Sequence, residues 1–153
     1  DSILSVHFLL KEKKYSCIYF SPQAFNDFAQ QFDSIEEVYS LYYKTVQNSI
    51  CSDLGPYKPK RIGHPTLIHK FQLDHNVIVD DHEMILKTLE LIKENQYELD
   101  VNSAGLAKPF CLEPYPPTRY IVLAKDLGIP LVFGSDAHRA EDLHQFYKDV
   151  YTQ

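Results

Sequence analysis

The stretch PLVFGSDAHRA, residues 130–140, joins a short apolar run to an acid and an imidazole. The apolar run ends at Gly134, and Asp136 and His138 follow within four positions. A run of this length, with Pro before it and Gly after it, is typical of a buried strand. Reactive side chains that directly follow such a strand lie at the edge of a sheet, where α/β proteins build their sites.

Three other apolar or β-branched segments resemble this strand and alternate with helical patterns. They cover residues 3–8, 61–64 and 97–101. Helix-start signals separate them, namely Ser21 with Pro22, Ser34 with Glu37, Asp80 with Glu83, and Thr118. The alternation predicts parallel β/α units, and therefore an α/β fold in a single domain over residues 1–153.

Each predicted strand carries a polar side chain at or just after its carboxyl end. His7 and His64 lie at the ends of the first two segments, and Asn102 directly follows the third. Taken alone, each is more simply a hydrogen-bonded structural residue or, for Asp136 and His138, a turn. In a β/α barrel, however, the carboxyl ends of the strands meet at one mouth. Together the three histidines and Asp136 favour a metal centre, since imidazole and carboxylate ligands suit zinc, manganese or iron.

Other polar clusters have simpler explanations. The acids and histidines between residues 75 and 82 resemble a metal patch, but they flank a helix start. Acids in that position are explained as capping residues that complement the helix dipole. His69 and Lys70 follow closely after His64, and contact with an anionic substrate and a solvated loop are equally compatible with the sequence.

Composition bounds the class of protein. The chain is 44% hydrophobic and 24% charged over 153 residues, which indicates a globular domain. Its net charge of -6 argues against a nucleic-acid partner, because phosphate backbones attract clustered Lys and Arg. Three widely spaced cysteines without a CxxC pair indicate free thiols. No segment is suited to a membrane helix, so we expect no membrane partner and a cytoplasmic location.

Four motifs occur in order along nearly the whole chain: SVHFL at 5–9, IGHPTLIHKF at 62–71, ELDVNSAGLAKPFCLEPYPP at 98–117 and GIPLVFGSDAH at 128–138. Together they resemble the histidinol-phosphate phosphatase branch of the polymerase and histidinol phosphatase (PHP) superfamily. The resemblance implies a distorted (β/α)7 TIM-like barrel with two or three divalent metals (zinc, manganese or iron) at its C-terminal mouth. It also implies hydrolysis of L-histidinol phosphate to L-histidinol and phosphate, by metal-activated water, in L-histidine biosynthesis.

The resemblance assigns roles to individual residues. It makes metal ligands of His7, His64, Asp136 and His138, the residues already selected by their places at strand ends. Asp136 and His138 are also the expected catalytic residues, and Asp136 could either bridge two metals or relay a proton. The candidates for binding substrate phosphate are Arg61, Asn102, Lys108 and Arg139, and for the charged ones a plain surface role is an equal alternative.

Two departures from the family pattern matter. The family site also needs an N-terminal HxH motif, a further His and a Glu before SVH, none of which is in these residues. We therefore expect the chain to form the C-terminal half of the barrel and to bind metal weakly or substoichiometrically. Ala107 replaces an Arg that many relatives carry, which directs attention to Lys108 or Arg61 for phosphate binding.

Two alternatives stay open. The chain could belong to another metal-dependent phosphoesterase of the PHP superfamily, such as the nuclease-like domain of replicative polymerases. It could instead be a half-barrel without catalytic activity. An incomplete barrel has open sheet edges and exposed apolar surface, so we expect self-association through the open half.

Overall fold

The computed structural model describes residues 2–151, with only the backbone of Tyr151, so the predicted domain limits at residues 1 and 153 lie outside it. Its helices are α1 (Pro22–Ala29), α2 (Ile35–Cys51), α3 (His82–Glu94), α4 (Thr118–Asp126) and α5 (Tyr147–Tyr151). Its strands are β1 (Phe8–Lys11), β2 (Lys14–Cys17), β3 (Arg61–Ile62), β4 (Glu98–Asn102) and β5 (Leu131–Gly134). The predicted mixed α/β class is confirmed.

A parallel sheet of order β3-β4-β5 forms the centre of the fold. Its register pairs Leu99 with Leu131 and Asn102 with Gly134. Helices α3 and α4 lie between successive strands in the chain, as parallel pairing requires. The three strands predicted over 61–64, 97–101 and 130–133 therefore exist, and their carboxyl ends meet at one edge of the sheet.

The first segment differs from its prediction as a strand over residues 3–8. Only Leu4 pairs with β3, through a hydrogen bond from its amide to the Arg61 carbonyl at 2.8 Å and one from the Gly63 amide at 2.9 Å. Gly63 permits this approach, because a Cβ there would overlap the Ser5 side chain. The chain then enters the antiparallel β1–β2 hairpin.

Each predicted helix-start signal is followed by a helix, but only some of the predicted capping residues make a capping hydrogen bond. Ser21 caps α1 as predicted, because its hydroxyl accepts a hydrogen bond from the Ala24 amide at 3.1 Å. Ser34 precedes α2 but makes no side-chain capping bond. At α3 the capping position belongs to Asp81 and not to Asp80, and the Asp81 carboxylate is turned toward the interior instead of the helix end.

Helix α2 packs buried tyrosines against the core and also holds the loop after β3. Tyr42 is fully buried, and its hydroxyl donates a hydrogen bond to the His64 carbonyl at 3.3 Å. The same hydroxyl accepts a hydrogen bond from the Leu67 amide at 3.2 Å. A buried tyrosine of α2 thus fixes the backbone of one predicted site residue.

The parallel strands do not close into a barrel within residues 2–151. The segment at Leu4 forms one edge of the sheet and β5 forms the other. In that described part of the chain, no helix is both long and apolar enough to cross a membrane.

Candidate functional site

A cavity of about 530 Å³ opens at the carboxyl ends of β3, β4 and β5. Six of the eight site residues predicted from the sequence line it, although they come from four separate segments of the chain. They are His7, His64, Asn102, Lys108, Asp136 and His138. The parallel sheet is the cause, because it brings the ends of successive strands to the same edge.

His7 and His64 face each other across this cavity. Their Nε2 atoms are 3.1 Å apart, and the Tyr19 ring also contacts His7, with ring centroids 4.9 Å apart. Burial lowers the pKa of both imidazoles, and that of His64 falls to about 4, with the neighbouring His7 contributing. Both rings are therefore neutral near pH 7, which is the form that binds metals.

His64 is held in an uncommon backbone conformation at the strand end. Its φ is 29°, a backbone conformation that residues other than glycine rarely adopt. The buried Asp100 carboxylate accepts a hydrogen bond from the His64 amide at 3.3 Å and another from the Asn102 side chain at 3.0 Å. Burial raises the pKa of Asp100, and these hydrogen bonds oppose that rise. Strand β4 thus holds the His64 backbone in place through the Asp100 carboxylate.

Asp100 is a site residue that the sequence reasoning missed. It lines the cavity together with Asn102, two positions further along β4. Residues two apart on a strand face the same side, so an acid paired with Asn102 in a buried run was the available signal. Gly134 on β5 makes room for this carboxylate, since a Cβ there would overlap it.

Asp136 and His138 reach the cavity from the loop after β5. Asp136 has a φ of 49°, so both His64 and Asp136 occupy the left-handed region directly beyond a strand. The Nδ1 atom of His138 lies 2.8 Å from the Asp136 carbonyl. Because a carbonyl only accepts hydrogen bonds, Nδ1 carries the proton, and a neutral His138 has its lone pair on Nε2.

The His7–His64 pair fits two ligands of a divalent metal. Nitrogen ligands at about 2.0–2.1 Å from a tetrahedral zinc lie roughly 3.3 Å apart, close to the separation found here. The other nitrogen of His64, Nδ1, is buried and makes no hydrogen bond to another residue among residues 2–151, whereas metal-bound imidazoles are usually oriented by such a bond. In the same part of the chain, no three His, Cys, Asp or Glu side chains converge closely enough to hold an ion.

Two of the predicted phosphate-binding residues lie elsewhere. Arg61 is paired with Glu98 on the neighbouring strand at 2.9 Å and does not line the cavity. This follows from the register, which places these two residues opposite each other. Arg139 is exposed and also lies outside the lining. Lys70, whose role the sequence left open, does line the cavity.

A second buried polar cluster lies beside a different cavity. The Nε2 of His69 is 2.7 Å from the Asp81 carboxylate, and its Nδ1 is 2.7 Å from the Glu113 carboxylate. Burial alone would lower the pKa of His69, but these hydrogen bonds outweigh it and raise the pKa to about 9. From the sequence, Asp81 was interpreted as a helix cap and His69 as a substrate contact or a loop residue. The hydrogen-bonded cluster of His69, Asp81 and Glu113 was therefore not predicted.

Comparison with known proteins finds relatives that carry the name histidinol-phosphatase. No protein-family model matches the chain. The chain is 41% identical over 150 residues to the histidinol-phosphatase of Bacillus subtilis (strain 168), covering 97% of this chain and 56% of that protein. It is 36% identical over 114 residues to a protein of Deinococcus radiodurans that is provisionally named histidinol-phosphatase, covering 74% of this chain and 40% of the relative.

A solved structure agrees with these relatives. The crystal structure of a Listeria monocytogenes protein, provisionally named a histidinol phosphatase, superposes with a TM-score of 0.91 at 39% identity. The match covers 97% of this chain and 57% of that one. The chain thus spans about half the length of the relatives it matches.

Proposed function

Because this chain is a homologue of the histidinol-phosphatases along nearly its whole length, we propose that the protein hydrolyses L-histidinol phosphate to L-histidinol and phosphate. The observation that carries this proposal is the convergence of His7, His64, Asp136 and His138 on one cavity. His64 follows β3, Asp136 and His138 follow β5, and His7 precedes β1, and these are the four residues that both predicted strand position and motif resemblance selected.

The donors at the cavity suit a divalent metal as cofactor. His7 and His64 would hold it through Nε2, with Asp136 and His138 as further ligands or as ligands of a second ion. When bound, zinc, manganese or iron supplies positive charge beside the phosphoryl oxygens and acidifies water. Weak or substoichiometric binding by this chain stays a prediction, and metal analysis of the purified protein measures it.

The chain's own residues have separate tasks in the proposed reaction. The neutral His7 and His64 offer lone pairs and stay unprotonated at the pH where a phosphate monoester is a dianion. Asp100 and Asn102 hold the His64 backbone in place. The exposed Asp136 carboxylate would either help to hold the metal or accept a proton from water, and these two roles stay open.

A panel of substrates tests the proposed activity against another phosphoesterase of the PHP superfamily. Purified protein supplied with manganese or zinc is incubated separately with L-histidinol phosphate and with a short DNA. Phosphate released from histidinol phosphate, with the DNA intact, supports the proposal. Cleavage of the DNA alone would contradict it and would favour the nuclease-like alternative.

We also propose that the described fold is half of a distorted (β/α)7 barrel. Parallel β/α units with two open sheet edges support this arrangement. Exposed apolar side chains in the first twenty residues are consistent with a surface that another element covers; they are Ile3, Phe8, Leu10, Tyr15 and Phe20. Association of the chain with itself would cover this surface.

Size-exclusion chromatography with light scattering measures the association state, and a monomer at all concentrations would contradict self-association. If the chain is instead a half-barrel without catalytic activity, its incomplete site should release no phosphate from histidinol phosphate and should leave the DNA intact. A cytoplasmic location stays a prediction.

A further inference from the structure

The second cavity of the molecule lies beside the buried cluster of His69, Asp81 and Glu113 and has a volume of about 660 Å³. Most of its lining comes from the loop that joins β3 to α3 and from the loop that joins β4 to α4. Among residues 2–151, no residue lines both this cavity and the strand-end cavity that contains His7 and His64. A ligand in the second cavity therefore occupies a place separate from the candidate phosphatase site.

The buried cluster gives the second cavity a net negative charge at neutral pH. Its pKa of about 9 keeps His69 protonated, so one positive charge lies between the Asp81 and Glu113 carboxylates. His69 contacts one oxygen of each carboxylate, Oδ2 of Asp81 and Oε1 of Glu113. Within residues 2–151, the other two oxygens, Oδ1 and Oε2, make no hydrogen bond to another residue. One negative charge and two acceptor oxygens are thus left for a ligand.

The other ionisable side chains that line the cavity do not cancel this charge. His75 is neutral near pH 7, because burial lowers its pKa, and its Nδ1 donates a hydrogen bond to the Val77 carbonyl at 3.0 Å. Arg119 is exposed at the start of α4, and its guanidinium lies 4.7 Å from the centroid of the Tyr120 ring. Solvent screens an exposed charge of this kind far more than a buried one. The buried side of the cavity therefore attracts a cation.

Apolar side chains that line the second cavity stay exposed to solvent. Ile78 is 98% exposed, and the whole set is Leu73, Val77, Ile78 and Leu112. The Tyr39 ring also lines the cavity and is stacked on His69, with ring centroids 6.0 Å apart. Exposed apolar groups that converge on a cavity with a few polar groups are typical of a ligand site, because a bound apolar group removes them from water.

We propose that the second cavity binds an organic amine that carries an apolar or aromatic body. The protonated amine donates a hydrogen bond to Oε2 of Glu113, whose side chain is more accessible than that of Asp81. Asp81 contributes its negative charge, and the Tyr39 ring adds attraction for the cation. The body of the amine packs against the exposed apolar side chains. This binding goes beyond the proposed phosphatase activity and does not depend on it.

Calorimetric titration of the full chain with 2-phenylethylamine, at about pH 7 where the amine is protonated, tests this site. 2-Phenylethanol has the same body with a neutral end, and 3-phenylpropionate has a negative end. We expect the amine to bind at least about ten times more tightly than the alcohol, the difference typical of a hydrogen bond to a charged group, and the acid to bind most weakly. Equal binding of the amine and the alcohol, tighter binding of the acid, or no binding of the amine would each overturn the proposal.

A charge substitution locates the bound amine. Glu113→Gln keeps the shape of the side chain and removes its charge, so amine binding should weaken roughly 10- to 100-fold while binding of the alcohol changes little. Glu94→Gln makes the same change at an exposed acid at the far end of α3 and should bind the amine like the wild type. Unchanged amine binding by Glu113→Gln would refute the proposal.

A substitution outside the buried cluster gives a second test that stands even if Glu113→Gln fails to fold by circular dichroism. Ile78→Ser removes an exposed apolar contact and should weaken binding of the amine and of the alcohol roughly 3- to 10-fold, because less apolar surface is buried. Leu54→Ser, at an exposed leucine that does not line the cavity, should bind both compounds like the wild type. Wild-type binding by Ile78→Ser, or an equal loss in Leu54→Ser, would contradict binding in the second cavity.

Discussion

The buried His69 predicts that stability falls as the pH rises from neutral to alkaline. This imidazole is hydrogen-bonded at 2.7 Å to both the Asp81 and the Glu113 carboxylates. Its pKa is raised from 6.5 to about 9. Burial alone would raise the pKa of Asp81, but the hydrogen bonds from His69 and Tyr43 and the charge of His69 together lower it. The charged form of His69 is thus favoured by folding.

The size and sign of the effect follow from proton linkage. A difference between pKa values of 6.5 and about 9 corresponds to roughly 3 kcal/mol, since one pKa unit is about 1.4 kcal/mol. The folded protein holds this proton more tightly than the unfolded chain does. The stabilisation is therefore complete below pH 6.5 and is lost as the pH rises through about 9. Between pH 6.5 and 8.5 the free energy of unfolding should fall by roughly 2 kcal/mol.

Urea denaturation at several values between pH 6.5 and 8.5 measures this fall. His69→Gln removes the titrating group, so its unfolding free energy should be lower overall and nearly independent of pH in this range. His144→Gln, a change at an exposed histidine, should keep the wild-type pH dependence. A wild-type slope that persists in His69→Gln would refute the assignment, as would a His69 pKa near 6.5 by NMR.

Three further substitutions test individual contacts by urea denaturation. Tyr43→Phe removes the hydroxyl that donates to the Asp81 carboxylate and should cost roughly 1–3 kcal/mol, whereas the same change at an exposed tyrosine should cost little. Gly134→Ala places a methyl against the Asp100 carboxylate and should cost roughly 1–3 kcal/mol; an unchanged midpoint would refute that crowding. Lys13→Gly relieves a φ of 67° in the β1–β2 turn and should add about 0.5–1 kcal/mol, so a loss of stability would contradict it.

The sequence was sufficient to predict the sheet that builds the candidate site. Short apolar or β-branched runs that alternate with helical patterns predicted β3, β4 and β5, and parallel pairing then required their carboxyl ends to meet. The sequence pattern therefore places His64, Asn102 and Asp136 at one edge of the sheet. Arg61 illustrates the limit of that reasoning, because pairing with Glu98 depends on strand register, which the local pattern does not specify.

Other features depend on contacts between distant parts of the chain. Asp81 precedes a helix, and a cap was the simplest local explanation for it. Its partners His69 and Tyr43 are 12 and 38 positions away. The packing of α2 against α3 brings Tyr43 to Asp81, and the 3-10 helix Leu67–Phe71 brings His69 there. Residues 3–8 have the composition of a strand, but the hairpin takes Phe8 and leaves only Leu4 paired with the sheet.

The central claim is that the strand-end residues form one phosphatase site, and Asp136 tests it most directly. The measurement is kcat/KM for phosphate release from L-histidinol phosphate by the metal-supplied protein, its Asp136→Asn variant and an exposed control, Asp126→Asn. We expect release by the wild type and the control, and a loss of at least about 100-fold in Asp136→Asn, whether Asp136 binds metal or moves a proton. Equal rates in Asp136→Asn and wild type would contradict the account.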